Sequence, residues 1–81
     1  MATIELPPEV RSLANDDARI EVEAPDVQEA LDRLQERHPA LAEQLRTGYS
    51  VVVDGTLHLS PGLVPLEPDS EVRFVAAVAG G

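Results

Sequence analysis

The residues best suited to chemistry in this 81-residue chain stand at its C-terminal end, Ala76-Ala77-Val78-Ala79-Gly80-Gly81. Small side chains followed by two glycines can lie extended in a narrow channel, because glycine lacks a Cβ and adopts backbone angles closed to other residues. Such an end would present the Gly81 carboxylate to another enzyme, and the reactive group would be the chain terminus itself. Two terminal glycines arise by chance in roughly one chain in two hundred at an average glycine usage of about 7%. Chain ends also commonly fray, so the pair gains meaning only from what precedes it. The other candidates are weaker. His38 and His58 stand far apart without a matching acid or nucleophile motif and are assigned no role. Glu67, Asp69 and Glu71 lie among turn residues and lack the ligand series of a calcium loop, so they read as a solvated acidic corner and no metal site is expected. Asp16-Asp17 reads as turn chemistry. There is no cysteine, hence no thiolate ligand, no thiol nucleophile and no disulfide. No phosphate-binding glycine loop is present, so the chain is not expected to bind ATP in that way.

The elements that must carry this end fit one small domain over residues 1–81. A chain of this size buries about 60–65% of its unfolded surface and leaves little room for an enclosed active site. Tyr49 and Phe74 are the only aromatic residues, so the core is expected to be aliphatic. A formal charge of −9 argues against nucleic acid, whose phosphates demand a basic surface, and would steer a basic partner instead. No apolar run approaches membrane-spanning length and no signal-peptide pattern opens the chain, so a cytoplasmic location is expected. The six basic residues, Arg11, Arg19, Arg33, Arg37, Arg46 and Arg73, are all arginine. With no lysine, the chain could not be extended on itself through side-chain amides; only the N-terminal amine would remain.

Alternation over Thr3-Ile4-Glu5-Leu6 predicts a first strand, stopped by Pro7-Pro8. The segment from Pro7 to Asp17 reads as irregular, with Val10 and Leu13 spaced to reach the core from one turn. Arg19-Ile20-Glu21-Val22-Glu23 alternates again and predicts a second strand antiparallel to the first, with Ile20 and Val22 inward. Asp26 and Glu29 have the spacing of a capping box, and Val27, Ala30, Leu31 and Leu34 form an apolar stripe at i, i+3, i+4 and i+7. An amphipathic helix ending at His38 follows, because Pro39 disfavours helical geometry in the residue before it. Pro39 opens a second, shorter helical piece carrying Leu41 and Leu45 and closed by Gly48. Tyr49-Ser50-Val51-Val52-Val53 and Thr56-Leu57-His58-Leu59 flank Asp54-Gly55, a two-residue hairpin turn. Ser60-Pro61-Gly62 and Glu67-Pro68-Asp69-Ser70 bracket a loop that tucks Leu63, Val64 and Leu66 under. Glu71-Val72-Arg73-Phe74-Val75 is the final strand, burying Val72 and Phe74. The order predicts an α+β layer, a mixed sheet of four to five short strands packed on one main helix, with residues 76–81 as an extended, flexible Gly-Gly tail.

With that pattern, the chain resembles the β-grasp, ubiquitin-like sulfur carriers of the MoaD/ThiS family, which includes the small subunit of molybdopterin synthase. The resemblance spans nearly the whole length. It rests on Leu6-Pro7-Pro8-Glu9-Val10-Arg11-Ser12-Leu13-Ala14, the helix start Asp26-Val27-Gln28-Glu29-Ala30-Leu31 and Val53-Asp54-Gly55. It also rests on Pro65-Leu66 ahead of Asp69-Ser70-Glu71-Val72, on Phe74, and most of all on the Val78-Ala79-Gly80-Gly81 end. Many members carry prolines just after the last strand, where this chain has Ala76-Ala77, a departure that loosens the tail's base.

The resemblance implies a cycle in which an E1-like adenylating enzyme uses ATP to activate the Gly81 carboxylate and a sulfur donor converts it to a thiocarboxylate. An acceptor enzyme, such as a molybdopterin synthase large subunit, would then take the sulfur. The chain itself would not be an enzyme: Gly81 is the carrier, Gly80, Ala79 and Val78 thread the partner's channel, and Val75, Arg73 and Ala77 are the docking residues. Two other classes stay open at this point, a ubiquitin-like modifier joined through Gly81 to target lysines and a plain interaction module whose glycines are incidental. The acceptor pathway, whether molybdenum cofactor, thiamine, cysteine or tRNA thiolation, is written in the partners.

Overall fold

A computed structural model describes residues 1–58 and 64–76. In chain order the described elements are strand β1 (Ala2–Glu5), a 3-10 helix (Pro8–Ala14), β2 (Arg19–Val22), helix α1 (Val27–Arg37), helix α2 (Pro39–Gly48), β3 (Tyr49–Val53), β4 (Thr56–His58) and β5 (Glu71–Ala76). The five strands form one mixed sheet in the order β2-β1-β5-β3-β4. β1 pairs antiparallel with β2 and parallel with β5, and β3 pairs antiparallel with both β5 and β4. The last described strand is therefore the middle strand of the sheet.

Period-2 alternation sorts the sheet into two faces. Ala2, Ile4, Ile20, Val22, Val51, Val53, Val72 and Phe74 are buried under the helices, where they meet Val27, Ala30, Leu31 and Leu34 of α1 and Leu41, Ala42 and Leu45 of α2. The core is aliphatic apart from Phe74, as the composition requires. Asp26 caps α1 as its spacing predicts, its Oδ1 accepting from the Glu29 backbone N–H at 2.8 Å. The Glu29 side chain does not close the reciprocal half of the box; it lies 3.6 Å from Arg33 one turn on.

The second helical piece is nearly as long as the first, ten residues against eleven. Gly48 is its last residue but not a left-handed cap: the chain passes straight into the extended conformation at Tyr49, φ −135°. Arg46 on α2 reaches Asp32 and Gln35 on α1 and braces the two helices together.

The Pro7–Asp17 stretch is more ordered than its sequence implies. It winds as a 3-10 helix that buries Val10 and Ala14 and leaves Leu13 37% exposed, where the spacing had placed Val10 and Leu13 inward. Asn15 and Asp16 both take positive φ, 55° and 65°, and turn the chain back to β2 immediately after Ala14, which carries Ala14 into the core in place of Leu13. Asp54 and Gly55, at φ 49° and 86°, form the expected tight turn between β3 and β4. Of the loop before β5, Leu66 is buried and Val64 packs against the core. Backbone bonds from Val27 N–H to the Val64 carbonyl and from Leu66 N–H to the Pro25 carbonyl tie this segment to the start of α1. Leu59 and Leu63, together with Ser60-Pro61-Gly62, lie outside the described residues.

Candidate functional site

The candidate site is the C-terminal end of β5 and the sheet face beside it. β5 extends one residue further than its alternation predicts: Ala76, assigned by the sequence to the tail, is still paired, opposite Tyr49. Ala77, Val78, Ala79, Gly80 and Gly81 lie outside the described residues, so the carboxylate, the threading residues and one docking residue are located by sequence alone. Arg73 and Val75 are described, and both point to the face of the sheet that carries no helix, Val75 with 38% of its surface exposed.

Strand register builds the rest of that open face. Arg73 lies opposite Glu5 on one side and Val52 on the other; Glu5 in turn opposes Arg19, and Val52 opposes Leu57. One row across all five strands therefore reads Arg19, Glu5, Arg73, Val52, Leu57, charged over β2, β1 and β5 and apolar over β3 and β4. Leu57 is 55% exposed. A shallow depression of about 280 Å³ runs along the charged half, between Arg19, Glu5, Arg73 and Val52. Opposite charges thus stand in adjacent strands, and the Arg19 and Arg73 guanidinium groups are placed on a face where they could engage carboxylates of a docked surface.

Both ends of β5 are held by side chains. At its start, the buried Ser70 hydroxyl donates to Asp54 Oδ2 at 2.9 Å and accepts from the Glu67 N–H at 2.8 Å, while Asp54 Oδ1 accepts from the Glu71 N–H at 2.9 Å. At its finish, the Tyr49 phenol donates to Glu9 Oε2 of the 3-10 helix at 3.0 Å. Partial burial, that hydrogen bond and the adjoining Glu9 charge raise the Tyr49 pKa above its ordinary value.

The sequence reading did not single out Leu57, Val52, Arg19, Tyr49, Glu9 or Ser70. Leu57 and Val52 were within reach: a two-residue Asp54-Gly55 turn fixes Val52 opposite Leu57, and Val51 and Val53 inward then put both on the outer face. Arg19 enters the row of Arg73 through β1, and Glu9 meets Tyr49 of β3, only through long-range contacts that no local pattern encodes. Among the described residues no group of three or more histidines, aspartates or glutamates is placed to hold a metal ion. No described helix is long and apolar enough to cross a membrane.

A helix-covered mixed sheet with β1 and the last strand parallel at its centre is the β-grasp, ubiquitin-like fold. The chain is similar over its whole length to a chain of the Amycolatopsis orientalis BexX/CysO complex, at a TM-score of 0.84 and 22% identity, covering 100% of both. It is similar to Mycobacterium tuberculosis CysO, at a TM-score of 0.84 and 11% identity, over 96% of this chain and 100% of that one. It also matches small archaeal modifier protein 1 of Methanosarcina acetivorans, at a TM-score of 0.78 and 18% identity over 99% and 95%. No protein-family model matches the chain, and no curated protein matches its sequence. At these identities the likeness establishes the fold, and at that level the resemblance to MoaD/ThiS carriers is borne out.

Proposed function

We propose that the chain is a sulfur carrier whose Gly81 carboxylate is adenylated by an ATP-dependent, E1-like partner and converted to a thiocarboxylate. The molybdenum cofactor type of acceptor, a molybdopterin synthase large subunit, is the favoured destination. The observation that carries this reading is the full-length match of a β-grasp domain whose central strand, β5, is followed in the sequence by Ala77-Val78-Ala79 and then Gly80-Gly81. A molybdopterin converting factor subunit of Pyrococcus furiosus, described as putative, overlays at a TM-score of 0.68, which supports the same destination.

The chemistry suits the residues. A carboxylate is a poor electrophile, its mixed anhydride with AMP is a good one, and attack by sulfide releases AMP and leaves a thiocarboxylate that can act as a nucleophile. The chain holds no cysteine, so the sulfur comes from a separate donor. Its role is to present the end: β5 anchors the tail, and Arg73 and Val75, with Ala77 beyond them, meet the partner. Catalysis and ATP binding belong to that partner, and the chain binds no cofactor of its own.

A second reading, a ubiquitin-like modifier joined through Gly81 to lysines of target proteins, is favoured by the match to small archaeal modifier protein 1. Both readings share the activation step and differ in product, a free thiocarboxylate against an amide. The test is mass spectrometry of the purified chain after incubation with ATP, sulfide and an E1-like enzyme of the same organism, with a thiocarboxylate-reactive probe to separate sulfur gain from oxidation of Met1. Probe-reactive sulfur on the full chain and none on a chain lacking Gly81 is expected. Equal behaviour of the two chains would sink the carrier reading, and amide adducts without thiocarboxylate would replace it with the modifier.

A further inference from the structure

Tyr49 is the first residue of β3 and lies directly opposite Ala76, the last residue of β5. Its parity with Val51 and Val53 sends its ring toward the helix side, where it packs against the rim of the core. Ala76 shares parity with Val72 and Phe74, so its methyl points to the same side, and opposed Cβ atoms in a sheet lie about 4.5–5.5 Å apart. The Tyr49 ring is thus the side-chain neighbour of the residue from which the tail departs. The ring is not free to swing, because its hydroxyl donates to Glu9 on the 3-10 helix, forty residues away in sequence.

We propose that Tyr49, pinned by Glu9, is a positioning residue for the C-terminal tail: it keeps the Tyr49–Ala76 rung of the sheet closed, so that the chain leaves β5 in one direction. This rests on the reading of Gly81 as the reactive end. Without the tether, the terminal rung frays by one or two residues, the tail's root shifts, and the carboxylate samples a larger volume before it reaches the partner's nucleotide. Reactions that depend on aligned ends lose rate steeply with small misplacement.

The test uses the full chain and its variants Tyr49→Phe, Glu9→Ala and Glu9→Gln. Glutamine keeps an acceptor for the phenol, whereas phenylalanine and alanine each remove one partner. Tyr49 and Ala76 form a non-hydrogen-bonded pair of the antiparallel ladder, so the reporters are the amides of Ser50 and Val75, the hydrogen-bonded pair next to it, whose exchange is expected to quicken about three- to five-fold in Tyr49→Phe and Glu9→Ala, the loss of one exposed hydrogen bond. Exchange at Val51, Val53 and Val72 stays at the wild-type rate, and Glu9→Gln stays within about two-fold of wild type. The kcat for Gly81 adenylation by the E1-like enzyme falls by a similar factor with KM little changed, and Glu9→Gln restores it. Unchanged exchange at Ser50 and Val75, uniform acceleration across the sheet, or local fraying with wild-type kcat would each overturn the proposal. A wild-type chain that is never adenylated overturns the carrier reading instead, and the exchange result still reports on the tether.

Discussion

Replacing Ser70 with alanine removes one oxygen from the protein, and the structure assigns that oxygen two bonds. Ser70 is 2% exposed, and its hydroxyl bridges the Asp54 carboxylate at 2.9 Å and the Glu67 N–H at 2.8 Å. The bond to a charged acceptor contributes about 1.5–3 kcal/mol, and the Glu67 N–H left without its acceptor adds about 1 kcal/mol where water reaches it in part. Asp54 is exposed and recovers most of its solvation, which offsets part of the first term. The expected destabilisation is therefore about 2–3 kcal/mol, against a total of roughly 4–12 kcal/mol for a chain of this size. Thermal unfolding followed by far-ultraviolet circular dichroism should show Ser70→Ala melting about 10–20 °C below wild type. Asp54→Asn keeps the Oδ1 acceptor for Glu71 and suits a left-handed turn residue, so its cost should stay near 1 kcal/mol. Because Ser70 and Asp54 share a bond, the costs of Ser70→Ala and Asp54→Ala should add up to more than the double variant loses, by about 1 kcal/mol. A Ser70→Ala chain within 0.5 kcal/mol of wild type, taken as roughly the scale of an ordinary surface substitution, would show that the bridge does not hold the start of β5.

Tyr49 is the only tyrosine and the chain has no tryptophan, so its absorbance titration reads one group. The midpoint should lie above that of a free tyrosine and move down in Glu9→Gln. Since the folded pKa is the raised one, the stability linked to this phenol is fully present below the unfolded pKa and is lost as pH climbs through the folded value; a midpoint at or below the ordinary value would contradict the tether. Asp26→Ala removes the acceptor for the Glu29 N–H and should cost about 1 kcal/mol by chemical denaturation, with a change under about 0.3 kcal/mol showing the cap to be dispensable. Arg73→Glu and Val75→Asp, both on the open face, should leave the melting temperature within a few degrees yet raise KM for the E1-like enzyme at least ten-fold; wild-type KM in both would remove this face from docking.

Much of the fold was legible because its signals are local. Asp26 announces the start of α1, Pro39 its end, and the stripe Val27, Ala30, Leu31, Leu34 its buried side, all within one stretch of sequence. The Asp54-Gly55 turn is equally self-contained, since both residues must take positive φ and these two side chains tolerate it. Leu13 misleads for the opposite reason. Its apolar character and its spacing from Val10 predict burial, but the two left-handed residues that follow Ala14 decide which side chain turns inward. Strand order is further still from local pattern, because β1 and β5 become neighbours across some seventy residues of chain.

The same distinction divides the site. Arg73 and Val75 could be placed on the outer face from alternation alone, since Val72 and Phe74 must go inward. That Arg73 stands between Glu5 and Val52, in a row ending at Leu57, and Val75 opposite Ser50, needed the register of three strand pairs. The assignment of Ala76 to the tail failed on this point: alanine has little strand propensity, and nothing nearby shows that Tyr49 waits opposite to pair with it. Placing Ala76 in the sheet leaves five residues of sequence after β5, Ala77–Gly81, a length that can span at most about 18 Å. On the carrier reading, a partner that acts on Gly81 would bring its reactive centre within that distance of the Tyr49–Ala76 rung, and its docking contacts would fall on the residues around that rung.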